Sequence, residues 1–425
     1  MKKLLILSSL IFMALPMSSK TLDECRQLAR DNYPEIQQYN LISQAEQYNL
    51  SNAATVWLPQ VSVMGQITYQ SAAPSYPKSL SAMMEANGID MSGIRKDQYK
   101  ISVDVSQRIW DGGKSKADVE ILQADAQEQQ SRVDVSLYGL QSKVDDLYFG
   151  MLLLEERAEL TKAHIELLES NLTRMRVYHK NGVALQADVD AIEAEVITAQ
   201  QTLDQINSSH DCYKQMLELF IGQPLTVSRL QRPEMQELTS RTSERPELAL
   251  FDAQSKKLEA QRKSIETSIM PQLSAFAQAY YGYPGLDMFK SMTSSQWTLN
   301  GLIGLRVSWN IGALYTKKNN LSKLNIAQQQ IDVQRETFLF NNQLQTTRDD
   351  AEIVRLRKAL DDDNRIIELR SSVRKAAESK LKHGVIDATD LLRKINDETI
   401  AVLNRTTHEI ELLQAIYRLK TTLNQ

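Results

Sequence analysis
The sequence predicts an α+β membrane protein in which four amphipathic strands accompany very long helices, with the whole pattern occurring twice along one chain. Three observations predict it. Four runs of about ten residues alternate apolar with polar side chains, the period of a strand with two unlike faces. Proline is absent between Pro77 and Pro224 and after Pro284, and after Gly312 the only glycine is Gly384, which leaves two long territories open to uninterrupted helix. Landmarks of the first half also recur in the second at one constant offset, the mark of an internal duplication.

The chain opens "MKKLLILSSLIFMALPMSSK", with Lys2 and Lys3 before an apolar run and then small residues. This reads as a secretory signal peptide over residues 1–19, too short to span a bilayer. Cys25 sits in "LDEC" behind two acids and is not read as a lipid-anchor cysteine. No later stretch offers about 20 consecutive apolar residues, so any membrane crossing falls to strands. The formal charge of −4 and the lack of a long basic run give no support for nucleic-acid binding.

The residues from Lys114 to His179 and from Thr316 to Lys382 are rich in Gln, Glu, Lys, Arg, Leu and Ala. Each would make a helix roughly 100 Å long at 1.5 Å per residue. Helices of that length need coiled-coil packing, and the imperfect heptads suit contact with neighbours on two sides. Both runs end in a matched turn, "YHKNGVALQAD" and "KLKHGVIDATD", pairing Gly182 with Gly384, Val183 with Val385 and Asp188 with Asp390. Glycine ends a helix at low cost in the left-handed region. Return helices follow, from about Ala187 to Phe220 and from Ala388 to Leu423. The organisation is a first repeat over 20–220, a connecting segment over 221–245 and a second repeat over 246–425.

The strands fall near residues 60–70, 100–110, 272–283 and 297–309. Val61, Val63 and Ile67 alternate with Ser62, Gln66 and Thr68; Leu299, Ile303, Leu305 and Val307 alternate with Asn300, Arg306 and Ser308. Charges in these runs occupy the polar face. Trp57, Trp110, Trp297 and Trp309 stand at strand ends, where interfacial girdles belong. Pro59 and Pro271 mark the change from helix to strand, since proline is tolerated where a strand begins. A soluble half-buried sheet would alternate in the same way, but it would not need the tryptophan placement. Four strands cannot close a barrel alone, and an edge facing lipid would leave unpaired backbone groups. Sharing the barrel between subunits allows a dimer of eight strands or a trimer of twelve.

"NYPEIQQ" and "ERPELAL" opening the halves, "WLPQVSV" and "IMPQLSA" entering the strands, "IWDGG" leaving them, and a tip glycine with aspartate six residues on together resemble the TolC-like outer membrane efflux family. The resemblance covers essentially the whole mature chain. It implies a homotrimer whose twelve-stranded β-barrel, four strands per chain, continues into a periplasmic α-helical coiled-coil tunnel. It implies location in the outer membrane of a Gram-negative bacterium, with most of the chain in the periplasm. The implied function is that of a passive exit duct, with a periplasmic adaptor docking at the tips and an inner-membrane pump of RND, ABC or MFS type supplying energy. Residues 221–245 would form an equatorial belt. A duct for type I protein secretion shares this architecture, and a purely structural periplasmic coiled-coil protein is the alternative from another class.

On the same resemblance Asp390 faces the lumen at the closed aperture, where three carboxylates would repel one another and attract cations. The family often carries a second aspartate three residues further on; Arg393 stands there instead, within i,i+3 reach of Asp390. Asp188 holds the matching place in the first tip, or else caps the return helix. Gly182, Val183, Gly384, Val385 and Ile386 are the expected adaptor contacts, or plain turn residues. The family topology sets Cys25 and Cys212 near the middle of the tunnel in an oxidising compartment; a disulfide there needs α-carbons within about 7 Å. His179 and His383 flank the tip glycines without companion ligands, and Met83, Met84 and Met91 sit in a hairpin loop; neither set is read as a metal site. There is no HExxH, no phosphate loop and no nucleophile–histidine arrangement. The reading is a protein without cofactor or enzymatic activity.

Overall fold
The computed structural model describes residues 20–88, 93–225, 229–235, 241–383 and 385–424. The expected signal segment, Met91 and Gly384 lie outside the described residues.

Helix α1 (Leu22–Asn32) is closed at its start by a capping box between Thr21 and Glu24. Tyr33 is held extended before Pro34, as a residue preceding proline must be. A short 3-10 turn then leads into α2 (Gln38–Ala54). Strand β1 (Gln60–Tyr69) follows Pro59 directly, so the proline stands one residue outside the strand rather than as its first member. Helix α3 (Lys78–Glu85) lies in the hairpin connection, which the sequence suggested only as loop. Next come β2 (Asp97–Trp110), α4 (Lys114–Lys180) and α5 (Gln186–Ile221). The second half opens with one unbroken helix, α6 (Pro246–Thr267), because its proline sits at the first helical position where no amide is missed. It continues through β3 (Gln272–Tyr283), α7 (Met288–Thr293), β4 (Thr298–Ser308), α8 (Ala313–Lys382) and α9 (Ala388–Leu423). The two long helices run for 67 and 70 residues, as the missing prolines predict.

The chain divides into two compact units. One gathers the described residues of 1–38, 131–249 and 334–425; the other gathers 39–130 and 250–333. The second unit holds a four-stranded antiparallel sheet in the order β1-β2-β3-β4. Its register aligns the apolar side chains into cross-strand rows, such as Val61–Val105–Ala277–Ile303 and Val63–Val103–Ala279.

In the first unit, α1 packs Leu22, Cys25 and Ala29 against Val144, Tyr148 and Phe149 of α4, Leu217 of α5 and Tyr417 of α9. The described part of 221–245 closes over this core, burying Leu225 and Leu230. The Tyr148 hydroxyl lies 3.0 Å from the Lys20 carbonyl and 2.5 Å from that of Gln231. Burial pushes this phenol's pKa well up, so it stays a donor. Tyr417 donates to the Glu234 carbonyl at 3.2 Å, and Arg232 pairs with Glu409 at 2.8 Å. The segment is therefore fixed at Leu225 and along 229–235.

Candidate functional site
The first unit contains both helix-hairpin tips. At the end of α4, the Gly182 amide bonds the His179 carbonyl and the Val183 amide bonds the Tyr178 carbonyl, both at 2.9 Å. This is the Schellman pattern, and it requires the left-handed backbone that Gly182 adopts at φ 76°. At the end of α8, Val385 makes the matching bond to Lys380 at 2.9 Å. Ile165, Leu168, Leu172 and Met175 of α4, Val189 and Ile192 of α5, Ala377 of α8, and Leu391 and Ile395 of α9 form one buried cluster behind the turns. That cluster leaves Val183 73% and Val385 68% exposed, with Leu185 beside them, while Ile386 packs onto it. The exposed apolar tip thus includes Leu185, which the sequence reading missed.

The two matching aspartates do different work. In the first tip, Asp188 accepts the Leu185 amide at 2.9 Å, so it takes the capping role offered as its alternative. In the second tip, Asp387 occupies the place of Leu185 and caps α9 itself, accepting the Asp390 amide at 2.8 Å. The capping task is then filled, and the Asp390 side chain is left to take Arg393 at 2.5 Å. Asp387 was missed in the sequence, although an acid just ahead of "ATDLLRK" is a recognisable cap signal. His179 Nδ1 lies 3.1 Å from the Ala184 carbonyl and His383 Nδ1 2.7 Å from that of Ser379, so each serves its own turn.

Within the sheet, one face is apolar and uncovered. Ile67 is 79% and Ile303 85% exposed, and Val63, Leu299, Leu305 and Val307 are likewise open. A soluble half-buried sheet would have hidden these side chains, so that alternative fails on their exposure. Trp57, Trp110 and Trp309 lie at the helix end of the sheet, beside Gln60, Gln107 and Ser308. Trp297 lies at the loop end, stacked on Tyr99 with centroids 5.9 Å apart and tilted against Tyr281 at 5.4 Å. Aromatic side chains therefore bound the apolar band on both sides. The opposite face is polar and internally bonded: Ser102 donates to Asp104 at 2.8 Å, Gln278 donates to Asp104, and Lys100 donates to Gln278 at 3.1 Å.

"IWDGG" has a clear local task. Buried Asp111 accepts the amides of Gly113 at 3.1 Å and Ser115 at 2.9 Å, together with the Ser115 hydroxyl, and so caps the start of α4. Burial works against its charge, but these hydrogen bonds prevail and hold the carboxyl below its usual range.

Cys25 and Cys212 are both unpaired, so the disulfide that the sequence left open is not formed. Cys25 faces the core from α1 at 0% exposure, whereas Cys212 lies on the exposed surface of α5. Burial pushes the Cys25 thiol up to about 11. We expect a maleimide at neutral pH to label the native protein once, at Cys212, with Cys25 reacting only on unfolding. A folded protein that takes no label, or two, contradicts this arrangement. Because the folded thiol titrates above the unfolded one, its contribution to stability is intact below about pH 8.5 and is lost as the pH rises through about 11.

Residues 25–223 match the family described as outer membrane efflux protein. Three solved structures share the fold. The outer membrane protein VceC of Vibrio cholerae is 13% identical, with 95% of this chain and 94% of that one covered at a TM-score of 0.67. The Campylobacter jejuni CmeC outer membrane channel is 12% identical, with 96% and 86% covered at 0.67. The open state of the Neisseria gonorrhoeae MtrE outer membrane channel is 16% identical, with 95% and 88% covered at 0.66. No curated protein matches the sequence. This chain thus resembles the outer membrane efflux protein family over residues 25–223 and shares its fold with these outer membrane proteins along nearly its whole length.

Proposed function
We propose that three copies of this chain form an outer-membrane exit duct, a passive, cofactor-free pore and not an enzyme. The single observation that carries the reading is the uncovered apolar sheet face bounded by aromatic residues. From Trp297 to Trp309 a strand advances roughly 40 Å at 3.3–3.4 Å per residue. A tilt near 45° reduces that to about 28 Å, close to the apolar band of an outer-membrane barrel. Strands β1 and β4 are the two free edges, and pairing β4 of one copy with β1 of the next removes every edge from lipid. Exposed Phe340 and Leu344, and Ile366, Leu369 and Val373 at helical spacing on α8, also suit packing against a neighbouring copy. CmeC and MtrE are outer membrane channels, which suits a pore-forming assembly, and the family resemblance selects the twelve-stranded trimer over the eight-stranded dimer.

In this reading the two halves descend from an internal duplication, and substrates arrive from an inner-membrane pump through a periplasmic adaptor. The adaptor meets the tips at Val183, Leu185, Val385 and Ile386, with Gly182 shaping the first turn. The Asp390–Arg393 pair stands at the aperture. Because Arg393 offsets the carboxylate charge, closure rests on three such pairs around the axis rather than on a bare acidic ring.

Single-channel recording of the purified protein in a planar bilayer tests this. The wild type is expected to show a small conductance that rises severalfold in Asp390→Ala and Arg393→Ala. Pores indifferent to both changes would keep the duct and move its gate elsewhere. Failure to form any pore would refute the shared barrel and restore a purely structural role.

A further inference from the structure
Resting on that duct reading, with the polar sheet face turned to the lumen, we propose that the barrel end of this protein favours anions. Lys100 and Arg306 set the preference, and the cargo class it suits is organic anions such as carboxylates and sulfonates.

Strands β1 and β3 carry no charged residue. The charges of the polar face are Lys100, Asp104 and Arg108 on β2 and Arg306 on β4. Arg108 is met by Asp111 at 3.5 Å, just beyond the strand. Asp104 is engaged by Ser102 and by Gln278, whose other amide atom accepts from Lys100 at 3.1 Å. An amide thus stands between the ammonium and the only carboxylate of the face.

Each of the two remaining cations is held over an aromatic ring. Lys100 Nζ lies 4.6 Å from the Tyr280 centroid, and the Arg306 guanidinium lies 4.7 Å from that of Phe276. Ring faces position a cation without cancelling its charge. Among the described residues neither cation makes an ion pair with a carboxylate. The residues opposite them in the register are uncharged, Gln66 and Gly282 across from Lys100 and Ser274 across from Arg306.

Closing the barrel between copies brings β1 against β4, and β1 supplies no acid to neutralise Arg306. Three copies therefore repeat the same excess of positive charge around one lumen. A low-dielectric wall focuses such a field and enriches counter-ions. Its reach is about 10 Å at 0.1 M salt and about 3 Å at 1 M, so the preference fades in concentrated salt.

The test is the reversal potential of single pores in a potassium chloride gradient near 0.1 M. It is run with the aperture pair neutralised by Asp390→Asn and Arg393→Gln, so that the tips do not set the sign. The chloride-to-potassium permeability ratio is expected to exceed one, on the order of a few-fold, and to approach one at high salt. Lys100→Gln with Arg306→Gln should bring it down to one or below, whereas Asp104→Asn should raise it. A ratio at or below one before those changes, or one that neither change moves, overturns the proposal while the pores themselves uphold the duct. Absence of any conductance instead removes the duct and the proposal with it.

Discussion

Replacing Arg26 with alanine is expected to cost about 3–5 kcal/mol of stability, the range for removing one partner of a buried ion pair. Arg26 grips Asp145 through two bonds of 2.7 Å, holds Asp23 at 3.1 Å and lies 5.6 Å from the Tyr417 ring centroid. One side chain thereby ties α1 to α4 and α9. Burial pushes the Asp145 carboxyl up, and the Arg26 fork pulls against it. Without the fork, the buried carboxylate must either stay charged and unpaired or take up a proton. With its folded pKa above the unfolded one, Asp145 then favours the folded state at low pH and loses that contribution as pH rises. The deficit in Arg26→Ala should therefore be full at neutral pH and shrink as the pH falls toward the ordinary carboxylate range. Urea unfolding of the two proteins across that range measures it. Substituting both partners, Arg26→Met with Asp145→Leu, should recover most of the loss, because well-packed apolar side chains often match a buried pair. A single variant within about 1 kcal/mol of wild type, the worth of an exposed pair, would mean that the bridge contributes little.

Gly112→Ala is expected to destabilise the second unit by about 2–4 kcal/mol, combining left-handed strain with overpacking. Gly112 adopts φ 68°, and a Cβ there would collide with the Cβ of Met270. Gly113 is the control. It also has a positive φ, 88°, but its added Cβ would meet only the Thr267 methyl at 3.6 Å. Gly113→Ala should therefore lose only the conformational part, about 1 kcal/mol. Unfolding in detergent with urea distinguishes the two. Equal losses would show that the contact with Met270 relaxes freely and that the collision does not matter.

Much of the fold was legible because its signals are local. Period-two alternation marked all four strands, and missing prolines marked α4 and α8 to within a few residues. The first tip turn was legible too, because Gly182 in the left-handed region leaves a trace in a single residue. What stayed hidden depends on distant partners. Nothing near Arg26 announces Asp145, which lies 119 positions away. The two cysteines lacked any signal of their orientation, since α1 turns Cys25 inward by packing against α4, α5 and α9. The difference between Asp188 and Asp390 lies between these cases. It is written three residues upstream, where the first tip has Leu185 and the second has Asp387, so one aspartate must cap and the other need not.

The first unit is built from the beginning, middle and end of the chain, and this has a consequence for how the protein is made. Tyr138 donates to the Thr421 carbonyl across 283 positions, and α1 rests on Tyr417. As the polypeptide emerges, α1 appears first but is only 11 residues long, too short to hold itself. Its apolar side must wait until the last helix has been synthesised. The second unit ends at residue 333, so all four of its strands have been made while the first unit is still missing a wall. Contacts this distant in sequence form slowly, and open strands left waiting tend to aggregate. A chain cut short before α9 would lack the wall its core depends on.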